Sequence, residues 1–194
     1  MNYWDKRYES GGTSGCGSVG QLRDIKWCWI QMFVDPVTDV IDVGCGDLSF
    51  WDGKQLPAGY IGIDGSEVII KKNKIQHPEN IFYHAQSSEP LGLVAPVVFC
   101  FDMLFHIMDD DIYWKTVQNL CTMSSEYIFI YTWMINPLRK FGVLTKTKGE
   151  YECYRDPTKM CSTIQSNGFY LVEVARNKGT DKFGVMLLFR RKEV

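Results

Sequence analysis

The chain has 194 residues, with 45% apolar and 23% charged residues and a formal net charge of −2. This length suits one domain with a sizeable core, and the composition is ordinary for a globular protein. The near-neutral balance excludes a general electrostatic attraction to nucleic acid or to an anionic membrane. Seven cysteines without Cys-x-x-Cys spacing and three scattered histidines favour free thiols in a reducing, cytoplasmic compartment over disulfides or a metal site.

Neither a secretory leader nor a membrane span is expected. Four charged residues fall within the first nine positions, where a leader would become apolar. The longest apolar region, 91–108, is interrupted by Pro96, Asp102 and His106, which predicts a buried strand and loop. We therefore expect residues 1–194 to form a single domain, with an arm at 1–18 and an insertion at 134–156.

The arm carries aromatic residues followed by many glycines. Trp4 and Tyr8 come first, and five glycines then fall within residues 11–20, which disfavours a helix there. One interpretation is a flexible leader. The other is an arm that folds over a ligand, with the aromatic side chains as a lid and with Ser14 and Ser18 as hydrogen-bonding groups.

The next segment has helical periodicity. Residues 19–33 place their apolar side chains on one face and leave Lys26 among the polar residues elsewhere. The apolar face consists of Leu22, Ile25, Trp29, Met32 and Phe33. This pattern predicts a helix that packs on a sheet.

A short buried strand with glycines directly after it forms the centre of the pattern. Residues 38–43 are apolar and β-branched, and Gly44 and Gly46 follow at once. Two glycines let the backbone turn tightly and let a ligand approach the main chain. Residues 48–51 then predict the start of a helix, whose free N–H groups would attract an anionic ligand group.

A second apolar strand, residues 60–64, ends in Asp64, which lies 22 residues after Asp42. An acid at this distance is where an α/β nucleotide site holds ribose hydroxyls. This pattern has an acid at the tip of the first strand, then Gly-x-Gly, and then a second strand that ends in Asp. It resembles the pattern of the class I S-adenosylmethionine-dependent methyltransferases. The family pattern has a third glycine where this chain has Leu48, and a dehydrogenase fingerprint would need glycine where it has Ser49.

This resemblance covers roughly residues 38 to 190 and is strongest at 40–64 and 97–107. It implies an α/β, Rossmann-like methyltransferase fold with helices on both faces. The implied sheet has seven mostly parallel strands in the order 3-2-1-4-5-7-6 and ends in a C-terminal antiparallel hairpin.

The rest of the chain supplies the elements that this fold needs. Helices are predicted from Ser66 to Lys74, from the acidic run 109–111 onward, and over 158–166; the strands are predicted at 81–84, 96–101, 126–133, 169–174 and 183–189, with a turn at 177–180. The acidic run fits a helix start better than a metal site, because acids complement the helix dipole.

The resemblance implies S-adenosyl-L-methionine as cofactor and S-adenosyl-L-homocysteine as product. Gln86 or Ser87 stands where the family places an acid for the adenine amino group, and an amide oxygen accepts the same hydrogen bond. The predicted cofactor-binding residues are Trp4, Tyr8, Ser18, Asp42, Gly44, Cys45, Gly46, Asp64, Gly65, Ser66, Gln86, Ser87, Phe101, Asp102 and Met103.

His106 follows the fourth strand and is the predicted general base, because a neutral imidazole accepts a proton near pH 7. The alternative is a partly buried structural histidine. Predicted acceptor-binding residues are Trp133, Asn136, Arg139, Tyr151, Tyr154 and Arg155. Since arginine forks suit carboxylate or phosphate, they favour a small acceptor with an anionic or polar ring-like group. Alternatively, the arginines are solvated and the tyrosines pack the final hairpin.

Together these features predict a methyltransferase that acts on oxygen or nitrogen of a small-molecule acceptor by in-line transfer. A non-catalytic subunit that binds S-adenosylmethionine and a nicotinamide-dependent oxidoreductase are the alternatives. Nucleic acid is a poor candidate, because no Asn/Asp-Pro-Pro-Tyr sequence follows the fourth strand. The acceptor and the oligomeric state are left open.

Overall fold

One seven-stranded sheet organises the part of the chain that the structure describes. The structure is a computed structural model that describes residues 3–37, 39–137, 147–148, 151–176 and 179–193. Its strands are β1 (Asp39–Val43), β2 (Gly59–Asp64), β3 (Ile81–His84), β4 (Ala95–Phe101), β5 (Ser124–Trp133), β6 (Phe169–Ala175) and β7 (Gly184–Arg191). A separate short ribbon pairs Thr147–Lys148 with Glu152–Cys153.

The spatial order of the sheet is β3-β2-β1-β4-β5-β7-β6. The first five strands are parallel, whereas β7 lies antiparallel to both β5 and β6. This is the Rossmann-like methyltransferase topology, and it confirms the predicted order and the C-terminal hairpin. Residues 177 and 178 of the expected hairpin turn lie outside the described residues.

Five α-helices accompany the sheet among the described residues. They are α1 (Tyr3–Glu9), α2 (Gly20–Gln31), α3 (Glu67–Gln76), α4 (Asp110–Met123) and α5 (Pro157–Ser166). Three of them begin at side-chain caps, because Ser66, Asp109 and Asp156 accept hydrogen bonds from Ile69 N, Ile112 N and Thr158 N. The cap at Asp109 confirms the acidic run as a helix start.

The core has two halves, one on each face of the sheet. Val98 and Cys100 of β4 pack with α4 and α5 on one face. Val97 and Phe99, the alternate residues, pack with Trp29 of α2 on the other face. Both faces are therefore covered, which explains why β4 is apolar along its whole length.

Two sequence predictions about helices were wrong. Residues 48–51 form no α-helix but a short 3-10 turn, Ser49–Trp51, preceded by Leu48 with φ of 61°. On α2 the buried face is shifted, since Met32 is 69% exposed whereas Lys26 is 1% exposed. Lys26 tolerates burial because its ammonium group pairs with Asp102 and donates to Gly17 O.

No helix in the described ranges is long and apolar enough to cross a bilayer. All seven cysteines are free thiols.

Candidate functional site

A pocket of about 310 Å³ lies where β1, β2 and β4 end. Ligand crevices of open α/β sheets form at these carboxyl ends. Twelve of the predicted site residues line it: Trp4, Tyr8, Ser18, Gly44, Asp64, Gly65, Gln86, Ser87, Phe101, Asp102, Met103 and His106. Eleven of the predicted cofactor residues and the predicted base thus share one pocket.

The glycine turn after β1 forms the floor of the pocket. Gly44 has φ of 81° and Gly46 has φ of 54°, a region that favours glycine. A Cβ at Gly44 would lie 2.6 Å from Met103 Cγ, and one at Gly46 would lie 2.1 Å from Ser14 Oγ. Both glycines are therefore required by the chain's own packing.

Leu48 explains the missing third glycine of the family pattern. Its φ of 61° and ψ of 10° lie in the left-handed region, which glycine adopts at lower cost. The turn thus keeps the backbone conformation although the residue differs. Its buried side chain packs in the core half that contains α2.

Asp64 ends β2 at the pocket wall with its carboxylate already oriented. Its Oδ2 accepts a hydrogen bond from Gly46 N at 3.0 Å, and its Oδ1 accepts one from Ser66 N at 2.8 Å. Burial raises the pKa of Asp64 to about 6, against the opposing effect of these N–H groups. Each oxygen keeps a lone pair for a further donor.

Four predicted cofactor residues lie outside the pocket wall. Asp42 is buried and accepts hydrogen bonds from Trp51 Nε1 at 3.0 Å and Tyr60 OH at 2.9 Å. Buried Cys45 directs its Sγ against Gly62. The remaining two are Gly46, which supports Asp64, and Ser66, which caps α3.

Of the two candidate adenine-binding residues after β3, Ser87 is held by a hydrogen bond and Gln86 is exposed. Thr116 Oγ1 donates to the carbonyl oxygen of Ile112, so the Ser87 hydroxyl donates to Thr116 at 2.8 Å. Gln86 is exposed and its amide lies over Gly65. Gln86 is therefore the better placed of the two for an adenine amino group.

The N-terminal arm is attached to the glycine turn. Ser14 N and Ser14 Oγ donate to the Asp47 carboxylate at 3.0 and 2.6 Å, and Asp47 N donates back to Ser14 Oγ at 2.9 Å. Ser66 Oγ donates to Asp5 at 2.7 Å, which fixes α1 over the start of α3. The arm thereby brings Trp4 and Tyr8 to the pocket.

Asp102 follows β4 with φ of 55°, an uncommon conformation for a residue other than glycine. Its carboxylate pairs with Lys26, whose Nζ also donates to Gly17 O at 2.9 Å. Lys26 Nζ lies 4.1 Å from the centroid of the Tyr131 ring. This buried ion pair, which sequence reasoning missed, holds Asp102 at the pocket wall.

His106 lies at the opposite wall with a defined tautomer. Its Nδ1 is 2.6 Å from the backbone carbonyl oxygen of Tyr151. Since a carbonyl oxygen only accepts, Nδ1 carries the proton and Nε2 keeps its lone pair. Burial lowers the pKa of His106 below its ordinary value, against the effect of this hydrogen bond, so the neutral form dominates at pH 7.

None of the predicted acceptor residues that the structure describes lines the pocket. Trp133 stacks on Phe105 at 4.1 Å, and half-buried Asn136 follows β5. Tyr151 stacks on Tyr3 at 4.5 Å. Tyr154 donates its hydroxyl to Met134 O at 3.2 Å. Arg139 lies outside the described residues.

Arg155 does not present a free guanidinium to the pocket. Its Nε donates to Asp110 at 2.8 Å, and its Nη1 and Nη2 donate to the carbonyl oxygens of Ile107 and Met108 at 2.6 and 3.0 Å. These bonds use the fork that was expected to bind an anionic acceptor. Arg155 instead supports the loop between β4 and α4.

Comparisons of the whole chain give structural matches only. No protein-family model matches the sequence, and no curated protein matches it either. The magnesium protoporphyrin IX methyltransferase ChlM from Synechocystis PCC 6803, solved with S-adenosylhomocysteine bound, is 18% identical with a TM-score of 0.69, over 99% of this chain and 89% of that chain. The N-methyltransferase NodS from Bradyrhizobium japonicum WM9, also solved with S-adenosylhomocysteine, is 11% identical with a TM-score of 0.67, over 89% and 88%.

A third match has a different reaction in its name. The [4+2]-cyclase SpnF is 10% identical with a TM-score of 0.65, over 97% of this chain and 92% of that chain. At these identities the matches show the fold, which is that of the class I S-adenosylmethionine-dependent methyltransferases. Because one fold supports several reactions, the reaction has to be argued from the site.

Proposed function

We propose that this chain is an S-adenosylmethionine-dependent methyltransferase that acts on oxygen or nitrogen of a small-molecule acceptor. The observation that carries the proposal is a single pocket with Asp64 on one wall and the deprotonated Nε2 of His106 on another. A ribose-binding carboxylate and a proton acceptor in one pocket fit transfer from a nucleoside-type donor to a protic acceptor.

The residues fit the cofactor part by part. Asp64 keeps lone pairs for the two ribose hydroxyls. The glycine turn brings the backbone of Gly44 to the pocket, where it would lie beside the methionine part. Gln86 is placed for the adenine amino group, and Ser18 and Asp102 for the polar methionine end.

When bound, S-adenosylmethionine supplies a sulfonium methyl group that is already activated for displacement. The chain's own residues then have three tasks. Trp4 and Tyr8 cover the pocket and exclude water, Asp64 and the glycine turn fix the donor's position, and Nε2 of His106 takes the proton that the acceptor loses. Proximity and orientation supply most of the acceleration.

A non-catalytic subunit that binds S-adenosylmethionine is the first alternative. It predicts cofactor binding without methyl transfer to any acceptor. A nicotinamide-dependent oxidoreductase is the second alternative. It predicts binding of a nicotinamide cofactor, which the chain disfavours by having Ser49 where that fingerprint needs glycine.

The test is methyl transfer from labelled S-adenosylmethionine to pools of metabolites, glycans, proteins and nucleic acids. We expect label in a small-molecule product, much less label with Asp64→Ala at limiting cofactor, and unchanged label with Asp52→Ala as an exposed control. Cofactor binding without label in any pool would favour the non-catalytic alternative. Label in protein or nucleic acid alone would contradict the proposed acceptor class.

A further inference from the structure

We propose that the acceptor is an uncharged aromatic compound that carries a hydroxyl group, seated against the rings of Trp4 and His106. This inference rests on the proposed function and names the acceptor class for the same pocket. Of the anionic or polar ring-like groups expected from the sequence it keeps the ring-like one, because Arg155 is engaged elsewhere.

The charges at the pocket disfavour an anion. None of the described residues that line it is a lysine or arginine, whereas Asp64, Asp102 and Asp109 contribute carboxylates. Lys26, the buried cation nearby, is paired with Asp102 and turned to Gly17 O. A carboxylate or phosphate on the acceptor would lose its hydration here without gaining a cation.

The carboxylates do not favour a cationic acceptor at the His106 wall. Asp64 is assigned to the ribose, and Asp102 is neutralised by Lys26. Asp109 caps α4 through Ile112 N, 2.9 Å from its Oδ1. Arg7 lies nearby, with its guanidinium carbon 5.7 Å from the centroid of the Trp4 ring, but its Nε donates to Thr13 O and it does not line the pocket. The described residues that line the pocket at Trp4 and His106 therefore offer an acceptor neither a free positive nor a free negative partner.

Aromatic rings dominate that wall. The Trp4 ring meets the His106 ring edge-on at 4.8 Å, and Phe105 lies 4.6 Å from His106. Two face-to-face ring stacks lie next to Trp4 and His106: Tyr3 stacks on Tyr151, and Phe105 stacks on Trp133. All of these side chains are half-buried, so ring surface remains for a planar molecule to contact.

His106 supplies one directional polar contact in this aromatic setting. Its Nδ1 donates its proton to the carbonyl oxygen of Tyr151, so Nε2 is unprotonated and can accept a hydrogen bond from a ligand. A hydroxyl donates this bond without carrying a charge. In the transfer, the hydroxyl oxygen forms the bond to the methyl carbon, the carbon–sulfur bond breaks towards sulfur, and Nε2 takes the hydroxyl proton.

Calorimetry on the complex of the chain with S-adenosylhomocysteine tests this class with three ligands of one shape. They are 2-naphthol, 2-naphthoate and 2-naphthylmethylamine. We expect saturable binding of 2-naphthol, with the naphthoate and the protonated amine each weaker by about tenfold or more. Equal or tighter binding of either charged ligand, or no binding of 2-naphthol, would overturn the proposal.

Two controls locate the binding and separate the two proposals. Trp4→Ala should weaken 2-naphthol by about tenfold, whereas Trp114→Ala, on α4 and away from the pocket wall, should not. If Trp114→Ala weakens binding as much as Trp4→Ala does, the assigned wall is wrong. If S-adenosylhomocysteine itself does not bind, the proposed function fails; if it binds and 2-naphthol does not, only the acceptor inference fails.

Discussion

His106 Nδ1 lies 2.6 Å from the backbone carbonyl oxygen of Tyr151, so one hydrogen bond fixes which imidazole nitrogen can act as a base. The same tyrosine is held by its stack on Tyr3, which belongs to the arm. Tyr151 directly precedes the ribbon strand Glu152–Cys153. The arm, the ribbon and the proposed base are therefore physically connected through this tyrosine.

The first prediction is the pH dependence of methyl transfer. Burial lowers the pKa of His106, so the base is neutral at pH 7 and is lost only as the pH falls through that lowered value. The rate should therefore be constant from pH 7 to 8 and decline on the acid side. His106→Ala should lower kcat by about 10²–10⁴ and remove the acid limb. An acid limb that is unchanged in the variant would contradict the assignment.

The second prediction concerns stability and Asp42. Burial raises the pKa of Asp42 to about 6, so the folded state holds its proton more tightly than the unfolded state. This contribution to stability is present near pH 4 to 5 and is lost as the pH rises through 6. Asn at this position still accepts from Trp51 and Tyr60 but cannot ionise.

Asp42→Asn should therefore match the original chain near pH 5 and exceed its free energy of unfolding at pH 8 by about 1–3 kcal/mol. Thermal unfolding across this pH range measures the difference. Asp52→Asn, at an exposed position, should show no such trend. If Asp42→Asn is destabilised equally at every pH, ionisation of Asp42 is not what lowers the free energy of unfolding at high pH.

The sequence predicted the parts of the site that are local in the chain. Gly44 and Asp64 each follow a short apolar strand directly, and the sheet then brings the ends of neighbouring parallel strands together. His106 was found for the same reason, since it lies just beyond β4. A pattern of strand, turn and polar residue contains this information without any knowledge of distant contacts.

The parts that were missed depend on partners far away in the chain. Lys26 looked like a solvated helix residue because its partner Asp102 lies 76 residues later. The bond between Ser14 and Asp47 spans 33 residues, and the bond between Asp5 and Ser66 spans 61. Arg155 looked free because periodicity does not show the carbonyl groups that it satisfies.

The third prediction concerns the arm. Ser14→Ala removes the hydroxyl that both donates to Asp47 and accepts from Asp47 N, so the arm should open more often. Limited proteolysis should then cut residues 9–13 several-fold faster than in the original chain. Ser10→Ala is the matched control, because its hydroxyl bonds only within the arm, to Arg7 O.

S-adenosylhomocysteine should slow this cleavage in the original chain, because the arm residues Trp4 and Tyr8 line the pocket. If the ligand does not change the cleavage rate, and both serine variants are cleaved as fast as the original chain, the arm is a flexible leader.

The fourth prediction concerns Arg155. Its side chain is 12% exposed and satisfies Asp110 and two backbone carbonyl groups. Arg155→Ala should lower the free energy of unfolding by about 1–3 kcal/mol, because the carbonyl group of buried Ile107 loses its charged donor and two further acceptors lose theirs. Arg155→Lys should recover little, since lysine lacks the fork that reaches several acceptors.

Arg190→Ala is the control for Arg155, as Arg190 is 39% exposed and lies 3.8 Å from Glu126. Its loss should leave the free energy of unfolding nearly unchanged, because an exposed ion pair of this kind contributes little. Chemical denaturation measures both variants. Equal losses would mean that Arg155 is no more structural than a surface arginine, and would reopen its role in binding the acceptor.

The most direct test of the account is calorimetric titration of the purified chain with S-adenosylhomocysteine. We predict saturable binding at one site, weakened by about tenfold to a hundredfold in Asp64→Ala, because that carboxylate is assigned to charge-assisted hydrogen bonds with the ribose. Asp52→Ala should bind as the original chain does. Absence of saturable binding, or an Asp64→Ala variant that folds and binds with unchanged affinity, would contradict the assignment of this pocket.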